Sequence, residues 1–191
     1  MAEFAQIGDG AARPEIRTAR LRLVAYDAEL ARLQLQDRAA FFAALGAKVE
    51  PAWPPELHDP AIPQLTLERL SAGADMAGWD AWAFLMPWPM DGADRPVGVG
   101  GFHGPPDADG VVEIGYSMLP SFREQGLATE AVQGLVDWAC AHAGVRAIRA
   151  ETLAHLLASR RVLEKSGFSA AGERTSEDGA VIADYVRQCA A

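Results

Sequence analysis

Cysteine is scarce in this chain: Cys140 and Cys189 are the only two among its 191 residues. Two cysteines argue against a disulfide framework, and Cys140 lies within an apolar helical pattern, where a cysteine is typically a small buried side chain. Neither residue belongs to a Cys-x-x-Cys pair or has histidines around it. We therefore expect neither a disulfide framework nor a metal site.

Long apolar runs are also missing. No segment approaches the roughly 18 consecutive apolar residues that a membrane helix needs. Residues 1–14 contain Glu3 and Asp9 and lack the basic start and apolar stretch of a targeting segment. The sequence thus predicts a cytoplasmic protein with no membrane partner.

Positive charge is in short supply. The chain has 17 Lys and Arg against 26 Asp and Glu, which makes a formal net charge of −9. Nucleic-acid binding needs clustered basic side chains to neutralise phosphates, so this balance argues against a nucleic-acid partner.

The sequence does contain the material for a folded domain. Half of the residues are hydrophobic and 23% are charged, which is typical of a globular chain. We expect a flexible arm over residues 1–14 and a single domain over residues 15–191. Periodicity predicts strands over 16–25, 82–86, 96–103, 111–119, 146–152, 168–173 and 181–187, with helices following Asp27 and over 64–72, 127–139 and 156–165. This order predicts a mixed α/β fold.

Residues 51–63 interrupt the pattern with five prolines, Trp53 and His58. Such a segment cannot form a helix or a central strand, because proline lacks a backbone donor and fixes its own φ angle. We interpret it as a stiff loop.

A short phosphate-binding pattern, Arg/Gln-x-x-Gly-x-Gly/Ala, occurs at Arg95–Gly100 and again at Arg123–Ala128. The first copy continues as a β-run, so we interpret Gly98 and Gly100 as strand glycines that permit close packing. The second copy lies between a strand and the start of an amphipathic helix, where free backbone N–H groups can bind a pyrophosphate. A plain loop ended by a glycine is the alternative.

Three segments in order carry a family resemblance: Val111–Leu119 (VVEIGYSML), Arg123–Ala131 (REQGLATEA) and Ala158–Phe168 (ASRRVLEKSGF). Together they resemble the GNAT N-acetyltransferase superfamily, and within it the RimJ/RimL-like branch. The resemblance implies a mixed, mostly antiparallel, splayed sheet of six to seven strands with helices on both faces.

The resemblance also implies acetyl-CoA as donor and a primary amine as acceptor, either a small molecule or a protein N-terminus. The acetyl group would pass directly through a tetrahedral intermediate. The implied cofactor contacts are the backbone near Met118 and Leu119, the side chains of Arg123, Ser159 and Arg161, and the loop amides of Gln125, Gly126, Leu127, Ala128 and Thr129.

Glu113 matches the strand glutamate that many members use as the base, and Ser159 is expected to contact CoA or to protonate the departing thiolate. Two positions depart from the family. Leu163 stands where a tyrosine often protonates the thiolate, and Leu156 stands where an asparagine often contacts the CoA arm.

Acceptor choice is expected to come from the 51–63 loop, with Trp53, Glu56 and His58 as substrate-binding residues. Two alternatives stay open: a non-catalytic module that binds or senses acyl-CoA, and a scaffold for another phosphate cofactor. Many relatives pair, so a homodimer is plausible, although the sequence shows no interface signal.

Overall fold

The structure is a computed structural model that describes residues 3–4, 13–56, 61–73, 76–88 and 92–190. Its helices are α1 (Ala28–Gln36), α2 (Arg38–Ala44), α3 (Ile62–Ala72), α4 (Leu127–Cys140) and α5 (Leu157–Lys165). Its strands are β1 (Glu3–Phe4), β2 (Glu15–Arg17), β3 (Arg22–Ala25), β4 (Ala81–Met86), β5 (Arg95–Phe102), β6 (Val111–Met118), β7 (Ala147–Leu153), β8 (Ser169–Thr175) and β9 (Val181–Gln188).

The strands form one sheet in the order β1-β2-β3-β4-β5-β6-β7-β9-β8. Every neighbouring pair is antiparallel except β6 and β7, which are parallel and joined through α4. The predicted mixed, mostly antiparallel sheet is therefore confirmed.

The sheet has more strands than the periodicity predicted. The segment predicted as one strand over 16–25 turns back on itself, since the Thr18 N–H donates to the Leu21 carbonyl, and β2 and β3 pair as a hairpin. The pattern after Asp27 likewise divides into α1 and α2, because the Asp37 side chain accepts the N–H of Ala40 and caps a second helix.

Helices cover both faces of the sheet, as predicted. Side chains that alternate along β4 separate two cores: Trp82 and Phe84 lie in the one formed with α4 and α5, and Ala83 and Leu85 lie in the one formed with α1 and α2. The α3 helix adds partly buried leucines to the second core. Among the described residues, no helix has both the length and the apolarity to cross a membrane.

One expectation is wrong: Cys140 and Cys189 form a disulfide, with their Cα atoms 5.3 Å apart. The bond joins the last residue of α4 to the residue after β9, and it closes a separation of 49 residues. Neither cysteine carries a local signal for this pairing, because only the return of β9 beside β7 brings the two together.

We expect loss of this bond to lower stability substantially. A bond that closes a 49-residue separation lowers the conformational entropy of the unfolded chain. In the chain-entropy relation this raises the free energy of the unfolded state by about 4 kcal/mol. Urea unfolding of the oxidised protein and of a Cys140→Ala, Cys189→Ala double variant measures the difference. Reductant should lower the midpoint of the parent and leave that of the double variant unchanged; equal midpoints would show that the bond does not form in solution.

Candidate active site

A gap opens in the sheet where β6 and β7 part. Their parallel pairing runs from Val111↔Ala147 to Ile114↔Ala150 and stops there. The rest of β6 pairs only with β5, and the rest of β7 only with β9. Two strand edges therefore face each other with unpaired backbone groups, which is the arrangement that an extended amide-bearing chain can join.

Backbone direction decides which groups face this gap. Leu119 donates its N–H to the Val97 carbonyl, and the Glu113 carbonyl accepts from the His103 N–H. The backbone N–H and C=O groups of odd-numbered residues in β6 therefore face β5. Because these groups alternate in direction along a strand, the backbone N–H and C=O groups of Tyr116 and Met118 face the gap. Backbone contacts to the cofactor were predicted at Met118 and Leu119. The backbone of Met118 faces the gap, whereas the Leu119 N–H is already bonded to the Val97 carbonyl within the sheet.

The second glycine motif has the predicted context: a strand, a loop and the start of a helix. Gly126 is the N-cap residue of α4 and adopts a left-handed φ of 75°, which glycine tolerates best. In the described part of the chain, the N–H groups of Gln125 through Thr129 donate to no protein acceptor. They lie at the positive end of the α4 dipole, so this loop fits a pyrophosphate.

A clip that the motifs did not reveal holds this loop. Glu130, in the first turn of α4, accepts hydrogen bonds from the Thr18 hydroxyl at 2.6 Å and from the Arg20 guanidinium at 2.7 Å. Arg20 also donates to the Gln125 carbonyl at 2.9 Å. Burial would raise the pKa of Glu130, but the hydrogen bonds from Thr18 and Arg20 outweigh it and lower that pKa. The clip joins residues about 110 positions apart, so no local pattern could have predicted it.

Glu130→Ala is expected to weaken the binding of acetyl-CoA and to leave kcat unchanged. The variant frees the Arg20 side chain and loosens the loop, and we expect a KM for acetyl-CoA about tenfold higher, since a charge-assisted hydrogen bond contributes ~1.5–3 kcal/mol. Initial rates at varied acetyl-CoA measure this change. Glu177→Ala, on an exposed turn, is the control, and equal KM values in all three proteins would contradict the role of the clip.

Arg123 does not extend toward the loop amides. Its Nε donates to the Met118 carbonyl at 3.1 Å, and its terminal nitrogen pairs with Glu56 at 3.1 Å. The Ser117 hydroxyl donates to the Glu56 carbonyl at 2.6 Å. The structure therefore joins a residue predicted for the acceptor, Glu56, to one predicted for the cofactor, Arg123, at the edge of the gap.

The other predicted loop residues are placed differently. Trp53 is buried, and its ring packs against Phe41 and Phe42 at centroid distances of 5.9 Å, so it shapes the core beneath the loop. His58 lies outside the described residues. The roles of Trp53, Glu56 and His58 in substrate binding stay predictions.

Glu113 forms a pair with His103 across β5 and β6. The imidazole Nδ1 lies 2.8 Å from a Glu113 carboxylate oxygen. The side chains of His103 and Glu113 are 59% and 40% exposed respectively, so both can be reached from outside. Their hydrogen bond is the main reason that the pKa of His103 is raised and the pKa of Glu113 is lowered.

Ser159 and Tyr116 meet on the opposite face of the gap. The Tyr116 hydroxyl lies 3.0 Å from the Ser159 hydroxyl and 3.1 Å from the Ser159 carbonyl. Burial raises the pKa of Tyr116 to about 12, against the smaller effect of its hydrogen bond to Ser159. Tyr116 packs partly buried against the core and also contacts the predicted proton donor.

The two arginines of α5 have different surroundings. Arg160 donates to the Tyr185 hydroxyl at 3.0 Å and pairs with Glu173 at 3.2 Å, which marks it as structural. Arg161 is exposed and pairs with no carboxylate among the described residues. Leu163 is fully buried in the core. At the position where the family often has a tyrosine, this chain therefore has an apolar packing residue. Within the described ranges, no group of three or more His, Cys, Asp and Glu side chains could hold a metal ion.

Comparisons with known proteins agree with this architecture. The chain is 33% identical over 153 residues to the uncharacterized N-acetyltransferase YjdG of Bacillus subtilis (strain 168), covering 80% of this chain and 88% of that protein. A GNAT-family acetyltransferase from Bacillus anthracis superposes with a TM-score of 0.60 at 17% identity, over 91% of this chain and 98% of that one.

RimL, a ribosomal L7/L12 alpha-N-protein acetyltransferase solved with coenzyme A, superposes with a TM-score of 0.58 at 19% identity, over 90% of this chain and 95% of that one. The model of the family described as "Acetyltransferase (GNAT) domain" matches residues 28–169 of this chain. With most of its length matched and a relative at this level of identity, the chain belongs to the GNAT acetyltransferase family.

Proposed function

We propose that this GNAT acetyltransferase moves an acetyl group from acetyl-CoA to a primary amine by direct transfer. The observation that carries the proposal is the gap between β6 and β7, which has a carboxylate on one face, a pair of hydroxyls on the other and free helix N–H groups at one end. Each feature supplies one requirement of the reaction.

The cofactor fits the residues present. The edge of β6 at Tyr116 and Met118 offers backbone groups to an amide-bearing arm, and the loop from Gln125 to Thr129 offers N–H groups to a pyrophosphate. Arg20 supplies positive charge at this loop through its bond to the Gln125 carbonyl, and the exposed Arg161 is proposed as a further cofactor contact, although the whole chain is acidic. Acetyl-CoA, when bound, supplies the thioester carbonyl that the amine attacks.

Strand alternation divides the catalytic work. Glu113 and Ser117 point to the α1–α2 face, where Glu56 of the predicted acceptor loop also lies. Tyr116 points to the α4–α5 face, where it contacts Ser159. An amine that enters from the first face meets a carboxylate that favours loss of its proton, and the departing sulfur meets a hydroxyl donor on the second.

The acceptor is proposed only as a primary amine. RimL acts on the N-terminus of a ribosomal protein, and its likeness to this chain supports the fold. The short contact of Glu56 with the edge of the gap supports the 51–63 loop as the element that selects among amines.

Thiol release from acetyl-CoA tests the proposal. We expect release with at least one member of a panel that combines small primary amines with peptides bearing a free N-terminus. Calorimetry should show binding of CoA in preference to ATP and NAD. Tight CoA binding without release on any amine would favour the sensing module, and preference for ATP or NAD would favour another phosphate cofactor.

A further inference from the structure

His103 is held at the end of β5 by two bonds to one residue. Its backbone N–H donates to the Glu113 carbonyl at 3.0 Å, and its Nδ1 lies 2.8 Å from the Glu113 carboxylate. Since a carboxylate only accepts hydrogen bonds, Nδ1 carries the proton. The neutral ring therefore presents the lone pair of its other nitrogen, Nε2.

Nε2 lies at the mouth of the gap. A Cβ atom built on Gly115 would come within 3.3 Å of it, and Gly115 is the first residue of β6 beyond the last pair with β7. Within the described part of the chain, Nε2 has no hydrogen-bond partner. The missing side chain at Gly115 leaves room for the ring and for a group that approaches it.

We propose that Nε2 of His103 receives the proton of the acceptor amine, and that Glu113 is the positioning residue that holds the imidazole in the required tautomer. The inference rests on the proposed function and specifies which atom on this face accepts the proton. Nε2 offers a lone pair beside Gly115, whereas the Glu113 carboxylate is already engaged by Nδ1.

The protons balance in this scheme. An ammonium nitrogen carries two more hydrogens than the amide nitrogen of the product. One passes to Nε2 of His103 and then to water. The C–N bond forms first and gives a tetrahedral intermediate, whose collapse breaks the C–S bond. The departing sulfur takes a proton from the Tyr116–Ser159 hydroxyl pair, and the second hydrogen of the nitrogen, passed through water, restores that pair.

The charges around His103 set its pH dependence. Glu113 on β6 raises the pKa of the imidazole, partial burial lowers it, Arg69 of α3 lowers it and Asp80 before β4 raises it. The net direction is upward. The rate should therefore rise with pH as the imidazole loses its proton, and the midpoint of this rise should lie above the ordinary histidine value.

Kinetics of His103 and Glu113 variants with the amine that supports turnover test the assignment. His103→Gln keeps a donor for Glu113 but cannot accept a proton, and we expect kcat to fall by about 10²-fold with unchanged affinity for CoA. Free imidazole should partly restore His103→Ala. Glu113→Gln should shift the acid limb of kcat/KM to lower pH, because the imidazole loses its anionic partner.

The controls separate this inference from the proposed function. His142→Gln, two residues beyond the end of α4, should behave as the parent chain. A parent chain that releases no thiol with any amine would refute the proposed function. If the parent turns over and His103→Gln has the same kcat, the role of His103 is overturned. The same conclusion follows if the His103 variants lose CoA binding together with activity.

Discussion

Glu113→Gln is expected to lower kcat by about 10²-fold or more, the usual size of a general acid–base contribution. Glutamine preserves the shape of the side chain but removes the charge that stabilises the protonated His103. Its amide group can also donate to Nδ1 and hold the ring in the wrong tautomer, so the loss reports on how Glu113 positions the base. Glu113 also lies away from the predicted pyrophosphate loop, so affinity for CoA should not change.

The pH dependence sharpens this prediction. Because the hydrogen bond to His103 lowers the pKa of Glu113, the carboxylate stays charged as pH falls through the neutral range and below its ordinary value. A loss of rate near neutral pH therefore has to come from another group, and His103 is adjacent. Thiol-release rates and calorimetry with CoA make the comparison.

A matched carboxylate serves as the control. Glu15 lies on β2, which β3, β4 and β5 separate from the gap, and it forms an ion pair with Arg22 at 3.1 Å. Glu15→Gln removes the same charge from a structural pair, and kcat should remain close to that of the parent. An equal fall in both variants would show that general charge, and not the Glu113 position, governs the rate.

Gly101→Ala is expected to destabilise the folded state strongly. Gly101 adopts a φ of 144°, and a Cβ atom there would lie 2.0 Å from the Asp80 carbonyl oxygen. Backbone cannot move aside as a flexible side chain can, so strain and overpacking together should cost about 3 kcal/mol or more.

Urea unfolding measures this loss, and soluble yield gives a second reading if the variant does not fold. Gly73→Ala is the control, because Gly73 has an extended φ of 168° and no heavy atom within 4 Å of the added carbon. Its midpoint should match the parent or exceed it slightly. A Gly101→Ala variant with the parent midpoint would contradict the observed contact.

The same contacts resolve the first glycine motif. Added carbons at Gly98 and Gly100 would each come within 2.6 Å of a neighbour, and the motif continues as β5 without a following helix. The prediction that these glycines serve strand packing is confirmed. The two copies of this short pattern thus have different local structures, because one continues as a strand and the other begins a helix.

Local chemistry was enough to predict much of the fold. Apolar spacing predicted α4 and α5, alternation predicted the strands from β4 to β9, and the order of three segments indicated the GNAT family. These features depend on residues a few positions apart, where helical and strand periods act directly. The glycine loop at Gly126 was predictable for the same reason.

Only the tertiary structure decided the contacts that join distant segments. The Cys140–Cys189 bond, the clip from Arg20 to Glu130 and the meeting of Tyr116 with Ser159 each require strands or helices from separate regions to pack side by side. The sequence determined Glu113 as a candidate, but its partner His103 depended on the register of β5 against β6. Sequence periods specify which face a residue takes, whereas pairing register specifies what it faces.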